Sequence, residues 1–442
     1  MKGFFRGFGI AFVAGGVLLG AFLFFPAEMI TEKGAALVGL GTEASVPKEK
    51  TVEERVAEAR EKSARVKGLY MTADVANDPG AGATRLREHI IRLAEETEIN
   101  GLVIDVKEVC GSDYDEKRLR PLLQELKGKG IWTIARIAVF KDASQIETHP
   151  EWYLTRKTPR PAGGECSRKR HLVARNTEGK KSNMSFWQDK RGGYWLDPAS
   201  QGARDYILDI SKRMIDLGFD ELQLDYIRFP SDGDVEHAIY PAWDRKTSRY
   251  LVLKSFFEFL RDNLKASKPE IILSADLFGS VAAQREDATI GQRLDDIGTA
   301  FDYISFMVYP SHYYSGLYAV ADPVRGLPEV NYTFVQARMN PDVVVERSLL
   351  FARDFLEGKI ATSSPATSTP VEVVVDYGAD QTRARLRPWL EDFFHEEDRR
   401  AGRPYGAQKV RMQIDAAERV EDHGWLLWNA ANVYTDEALK KE

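Results

Sequence analysis

The chain has 442 residues, of which 43% are hydrophobic and 29% charged, and its net charge is −6. Such a composition belongs to a folded globular protein and excludes general disorder. Lys and Arg are scattered instead of gathered into a basic stripe, which argues against nucleic acid as a partner.

Gly7 to Phe25 carry no charged side chain and follow Lys2 and Arg6. A run of this length can cross a hydrocarbon layer of about 30 Å as one helix, with the positive flank kept in the cytoplasm. Residues 1–30 are therefore expected to be a cytoplasmic tip and transmembrane signal anchor, with all that follows outside the cytoplasm. Phe25, Pro26 and Ala27 fit a signal-peptidase site poorly, so secretion after cleavage is the alternative. Residues 31–65 read as a tether, and its charge-rich part from Pro47 to Arg65 as a solvated helix or extended spacer.

From Val66 onward, short apolar runs alternate with helical patterns. Strands are expected over Val66–Thr72, Gly101–Val106, Ile131–Val139, Asp220–Pro230, Glu270–Asp276, Tyr303–Tyr309, Ala384–Leu390 and Gly424–Asn429. Helices are expected over Thr84–Thr97, Arg118–Lys129, from about Ser200 to Leu217, and over Tyr250–Ala266, Val343–Leu356 and Ala407–Val420. Eight such units predict a (β/α)8 TIM barrel over residues 66–434, with 435–442 as a C-terminal tail. The polar stretch Phe140–Gly193 is too long for an ordinary connection and is expected to lie over the mouth of the site. Ala361–Pro370, rich in Ser, Thr and Pro, reads as a surface insertion. Cys110 and Cys166 are the only cysteines. They are expected to be unpaired loop thiols, with a bridge between the loops after the second and third strands as the alternative.

A barrel builds its site at the C-terminal ends of its strands. In the fourth strand Leu222 and Leu224 share one face and Gln223 and Asp225 the other, so Asp225 points into the lumen at the strand's end. Asp276 holds the same kind of position on the fifth strand, and Asp392 follows the seventh beside Glu391. Asp225, Asp276 and Asp392 are the candidate catalytic carboxylates. Two carboxylates, one protonated and one ionised, are the working parts of glycosidic-bond hydrolysis. Asp105, Glu108, Arg136, Arg228, Tyr309, His312, Trp389, Trp428 and Asn429 stand at or near the other strand ends and are candidates for binding substrate; aromatic rings suit the apolar faces of sugars. Asp225 could instead be a structural acid paired with Arg228 or another barrel Arg, Asp276 a cap, and the aromatics rim packing. The seven His residues form no His-x-His or His-Glu-x-x-His pair, there is no Gly-x-Ser-x-Gly elbow, and there is no Gly-rich phosphate loop. No metal or other cofactor is expected.

The segments Lys67-Gly68-Leu69-Tyr70, Asn100 to Lys107, Leu222-Gln223-Leu224-Asp225-Tyr226-Ile227-Arg228-Phe229-Pro230, Asp302 to Ser305, Arg387-Pro388-Trp389-Leu390 and Gly424 to Ala430 resemble a glycosyl hydrolase domain family of bacterial and archaeal proteins first defined as a domain of unknown function. The resemblance implies a TIM-type barrel, often exported or membrane-tethered, in which Asp225 matches the strand-four acid of glycoside hydrolases. Glu391 departs from the Gln of that family's seventh-strand pattern. The expected protein is a membrane-anchored glycosidase acting on an extracellular or cell-envelope polysaccharide. A barrel that binds glycan at the cell surface without cleaving it is the alternative. A metal-dependent hydrolase is disfavoured by the His spacing.

Overall fold

The computed structural model describes residues 49–158, 164–166, 185–358, 384–402 and 405–441. The apolar run Gly7–Phe25 and the tract Ala361–Pro370 lie outside them, and no helix among the described residues is long and apolar enough to cross a membrane.

Eight strands form a closed parallel ring: β1 (Val66–Met71), β2 (Gly101–Glu108), β3 (Trp132–Ala138), β4 (Glu221–Asp225), β5 (Ile272–Phe278), β6 (Tyr303–Met307), β7 (Trp389–Glu391) and β8 (Gly424–Trp428). The ring closes where Val66–Leu69 of β1 pair with Gly424–Leu427 of β8, while Gly68–Met71 pair with Gly101–Ile104 of β2. Gly424 makes that closure possible: its φ is +82°, and a Cβ there would lie 2.0 Å from the carbonyl oxygen of Val66. The expected eight-stranded barrel is therefore present. β7 is shorter than its apolar run because Pro388 has no N–H to donate; Arg385–Leu386 pair with β6 before it and Trp389 pairs with Met307 after it.

Helices cover the outside. Leu102, Ile104, Leu222, Leu224, Leu273 and Ala275 point outward into one apolar layer with the helices Ala81–Glu96, Glu116–Gly128, Gln201–Leu217, Arg249–Ser267, Pro341–Leu356 and Ala407–Val420. Ser200 caps Gln201–Leu217 as its sequence suggests, its Oγ accepting from Ala203 N–H at 3.4 Å.

The lumen is apolar only in part. Val66, Tyr70, Val103, Trp132, Ile134, Ile272, Tyr303, Trp389 and Leu426 fill it, and a buried polar layer closes its N-terminal end. There Arg387 donates to both oxygens of Glu221 at 2.9 and 2.8 Å, and Trp132 Nε1 donates to the same carboxylate at 3.0 Å. The charged segment before β1 includes a helix, Val52–Ser63, capped by Thr51 and Glu54. Its last residue sits on this floor: Ser63 is buried, its carbonyl accepts from Arg387 at 2.7 Å, and its hydroxyl bonds to that of Tyr303 at 3.0 Å.

The Phe140–Gly193 excursion is pinned where it is described. Isolated bridges join Lys141 to Trp195, Tyr153 to Leu196 and Thr155 to Phe186, and Tyr153, Trp187 and Trp195 are buried. Cys110 and Cys166 are joined in a disulfide, which replaces the expectation of two unpaired thiols. The two loops converge on one lip of the barrel, a proximity between residues 56 apart that spacing cannot reveal. Beside the bridge, Lys141 pairs with Glu165 and Asp189, each at 2.8 Å. Closing a loop of this length lowers the entropy of the unfolded chain by the equivalent of about 4 kcal/mol. Reduction should lower the thermal midpoint, and Cys110→Ser should reproduce that loss and abolish its dependence on reductant.

At the other end of the barrel, burial pushes the Glu421 carboxyl up to about 7 from an ordinary value of 4.5. The folded chain then binds a proton that the unfolded chain has released, so this residue's contribution to stability falls as pH rises from about 4.5 to 7. Glu421→Gln should remove a loss on the order of 3 kcal/mol across that range, read as the difference between the two chains' denaturation midpoints against pH.

Candidate active site

Arg136 is the centre of the C-terminal mouth. It lies on β3 beside Asp105 on β2, the two being paired in register. β4 and β5 run in register with Leu224 opposite Ala275, so Asp225 and Asp276 leave neighbouring strands at the same level, where strands are about 4.8 Å apart. The guanidinium meets all three acids: Nη1 donates to Asp105 at 2.6 Å, Nη2 donates to Asp225, and Nε lies 3.5 Å from Asp276. Burial alone would disfavour the Arg136 charge, but Asp105 and Asp225 more than offset that and hold it protonated.

One cation cannot neutralise three carboxylates. Burial, reinforced by the charge of Asp225, pushes the Asp276 carboxyl well above the usual range against the pull of Arg136. Its Oδ1 accepts from Trp389 Nε1 at 2.8 Å. Asp225 instead accepts from Arg136 and, at 2.5 Å, from the backbone N–H of Tyr226. Tyr226 holds φ of 53°, a left-handed conformation that costs a non-glycine residue free energy on the order of 1 kcal/mol or more. Adjacent carboxyls with different donors, one of them with its proton affinity raised, suit an acid and a partner carboxylate.

Tyr70 at the end of β1 donates to Asp105. Burial and the Asp105 charge push its phenol well above its usual range, so it remains a donor. Tyr70, Arg136, Asp225, Asp276, Met307, Tyr309, Trp389 and Trp428 line a narrow cleft with room for about one water. The indole nitrogen of Trp428 is buried there without a hydrogen-bond partner among the described residues. It is a donor that a ligand hydroxyl could satisfy. A larger groove of 740 Å³ lies at the opposite end, between Val52–Ser63, Arg249–Ser267 and Leu294–Ala300. Its charges are largely occupied with one another, as Lys265 with Asp302 at 2.9 Å, so it is not where the chemistry is.

Six expected residues thus meet at one place: Asp105, Arg136, Asp225, Asp276, Tyr309 and Trp389, with Trp428 beside them. The others are placed differently. Asp392 holds Thr435, accepting from its N–H and its hydroxyl at 2.7 Å each. Asn429 donates to the carbonyls of Asp392 and Val433 and closes a turn by accepting from Ala431. Both tie the segment after β8 to the barrel and are not brought to the acids. Glu108 ends β2 in a short hairpin with Gly111. Arg228 does not bind Asp225; it is bonded to Phe229 and Ser231 and its guanidinium lies over Phe278 and Trp195 at 4.5 and 4.9 Å. His312 packs against Tyr309 with ring centroids 5.1 Å apart. Glu391, beside Asp392, is buried and accepts from Ser311. Tyr70, Tyr226 and Met307 were not anticipated. Inspecting the end of the first strand in the same way as the others would have found Tyr70, whereas the backbone conformation of Tyr226 leaves no trace in composition.

The chain belongs to the family described as "Putative glycosyl hydrolase domain", whose model matches residues 68–434. The glycoside hydrolase domain of PgaB (BpsB) from Bordetella bronchiseptica is similar over 83% of this chain and 95% of that one, at 12% identity and a TM-score of 0.50. A hypothetical protein from Ruminiclostridium thermocellum is 24% identical over 47% of this chain and 96% of its own, with a TM-score of 0.35. The α-galactosidase of Thermus thermophilus is 13% identical over 88% of this chain and 68% of its own, with a TM-score of 0.42. Among curated proteins, none matches. At these identities the likeness concerns the barrel fold alone.

Replacing Arg136 with Met leaves three buried acids without their cation, which should cost about 3–5 kcal/mol. The domain should unfold in correspondingly less urea. Arg136→Lys, which keeps the charge but cannot reach three carboxyls, should fall between the two.

Proposed function

We propose that this chain is a glycosidase anchored in the cell membrane, acting outside the cytoplasm on an extracellular or cell-envelope polysaccharide. The observation that carries the reading is the pair Asp225 and Asp276, in register on adjacent strands at the mouth, with the Asp276 carboxyl held above its usual range. Asp276 holds a proton that it can give to the leaving glycosidic oxygen as the bond from that oxygen to the sugar carbon breaks. Asp225 either bonds to the carbon or takes a proton from the water that attacks it. Arg136 keeps Asp225 oriented, and Trp428 offers its indole N–H to a substrate hydroxyl. The apolar run Gly7–Phe25 supports the anchor, and the disulfide between Cys110 and Cys166 suits an oxidising compartment.

A second reading is favoured by one observation. The cleft is narrow enough to exclude a sugar ring as it stands, which suits a barrel that holds glycan at its rim without cleaving it.

Reducing ends released from a panel of polysaccharides separate the two. Asp225→Asn should lower release about 10²–10⁴-fold with the thermal midpoint near that of the unchanged chain; full activity in this variant would remove Asp225 from the mechanism. Because only the protonated form of Asp276 can donate, the rate should decline as pH rises through its elevated pKa. Release from no polysaccharide, with binding retained, would leave the glycan-holding barrel.

A further inference from the structure

Beyond Tyr309, the aromatic wall does not end at the cleft. His312 lies 5.1 Å from Tyr309, centroid to centroid. His312 and Tyr314 follow at 5.9 Å with only 23° between their planes, and Tyr314 and Phe334 at 5.8 Å with 29°. Tyr314 is 72% exposed. Scattered exposed hydrophobics are ordinary on a soluble surface and need no explanation. These rings are not scattered: Tyr309 and His312 meet edge to face at 81°, and from His312 through Tyr314 to Phe334 the rings follow in near-parallel steps.

Their supports are fixed as well. The turn carrying His312 is held through Ser311, whose N–H and hydroxyl both donate to buried Glu391, at 3.2 and 2.5 Å. Tyr313, next to Tyr314, has its hydroxyl bonded to Ser348 at 2.6 Å. Gly316 closes the turn with φ of +84°, in a place where a Cβ would lie 2.0 Å from the carbonyl oxygen of Tyr332. Phe334 lies under the guanidinium of Arg338, 5.2 Å from the ring, and Arg338 is itself buried and bonded to Asp398 at 2.5 Å. A ring held in one orientation loses little freedom when something stacks on it. Aromatic rings of fixed orientation, exposed at His312 and Tyr314 and half-buried at Phe334, suit the C–H faces of sugar rings, and their succession suits a chain of them.

We infer that His312, Tyr314 and Phe334 form a carbohydrate-binding platform that continues the cleft, so that this face holds several consecutive units of a polysaccharide. The inference rests on the glycosidase reading for the site at which the platform begins, but the binding itself does not require turnover. The aliphatic residues Val320 and Val324 are exposed nearby in sequence, yet they belong to the hairpin formed by Leu317–Ala319 and Val330–Tyr332 and not to the ring series.

The test uses the full chain in detergent and compares it with Tyr314→Ala, Phe334→Ala and, as a control on the hairpin, Tyr318→Ala. Retardation is measured in gels containing soluble chitosan, xylan, β-glucan, galactan or α-glucan, beside reducing-end release from the same polymers and from their disaccharides. Tyr314 and Tyr318 are both exposed, so unchanged thermal midpoints are expected. The platform predicts that Tyr314→Ala and Phe334→Ala each weaken retention by at least one polymer about five- to tenfold, the equivalent of roughly 1 kcal/mol per ring. Tyr318→Ala should retain it fully, and action on disaccharides should not change. Retention lost in the ring variants with no release from any polymer upholds the platform and overturns the glycosidase. Release with equal retention by all variants does the reverse. Retention of the unchanged chain by none of these polymers, or equal losses in the hairpin control, overturns the platform.

Discussion

A single guanidinium placed among three buried carboxylates governs the mouth of this barrel. Arg136 touches Asp105, Asp225 and Asp276, which come from three other strands, and so ties four neighbouring strands together at their C-terminal ends. Its one positive charge is too small for the negative charge around it, and the deficit falls on Asp276, which is buried with Asp105. The raised proton affinity of Asp276 follows first from burial and then from the charge of Asp225, which Arg136 does not fully offset. Stability and reactivity are linked here, because the cation that makes the acids tolerable offsets only part of what raises the proton affinity of Asp276.

The barrel needs a second polar layer at its opposite end. Glu221 and Arg387, both fully buried, satisfy each other and are capped by Ser63 from the helix before β1. With both layers in place, the lumen is closed below and open only at the mouth. The excursion after β3 is fastened to the same rim by the disulfide and by the ion pairs of Lys141. The lip on which these two loops meet is thus held covalently as well as by packing.

Much of this was legible in the sequence. The eight strands and the major helices follow apolar periodicity, because a strand buried under helices on one face and facing a lumen on the other must alternate. Asp225 and Asp276 stood out for the same reason, as charges on the lumen face of otherwise apolar strands. Asp392 and Asn429 stood at equally suggestive places, yet their polar atoms hold the segment after β8. Sequence position puts a side chain at a strand end but does not choose between a substrate and a neighbouring backbone N–H as its partner. Arg228 shows the same limit: three residues from Asp225, it turns to Phe278 and Trp195 while Arg136 from another strand takes the acid.

The amino-acid order by itself determined the number of strands, the face each side chain takes and the acids that reach the lumen, since all of these depend on local alternation and helical spacing. The partners were decided only by tertiary structure: which arginine meets the acids, which acid has its proton affinity raised, whether the two cysteines join, and which rings follow one another from Tyr309. Those are contacts between residues far apart in the chain. They depend on how the strands are staggered around the ring, and on the closing of a barrel that no short stretch of sequence contains.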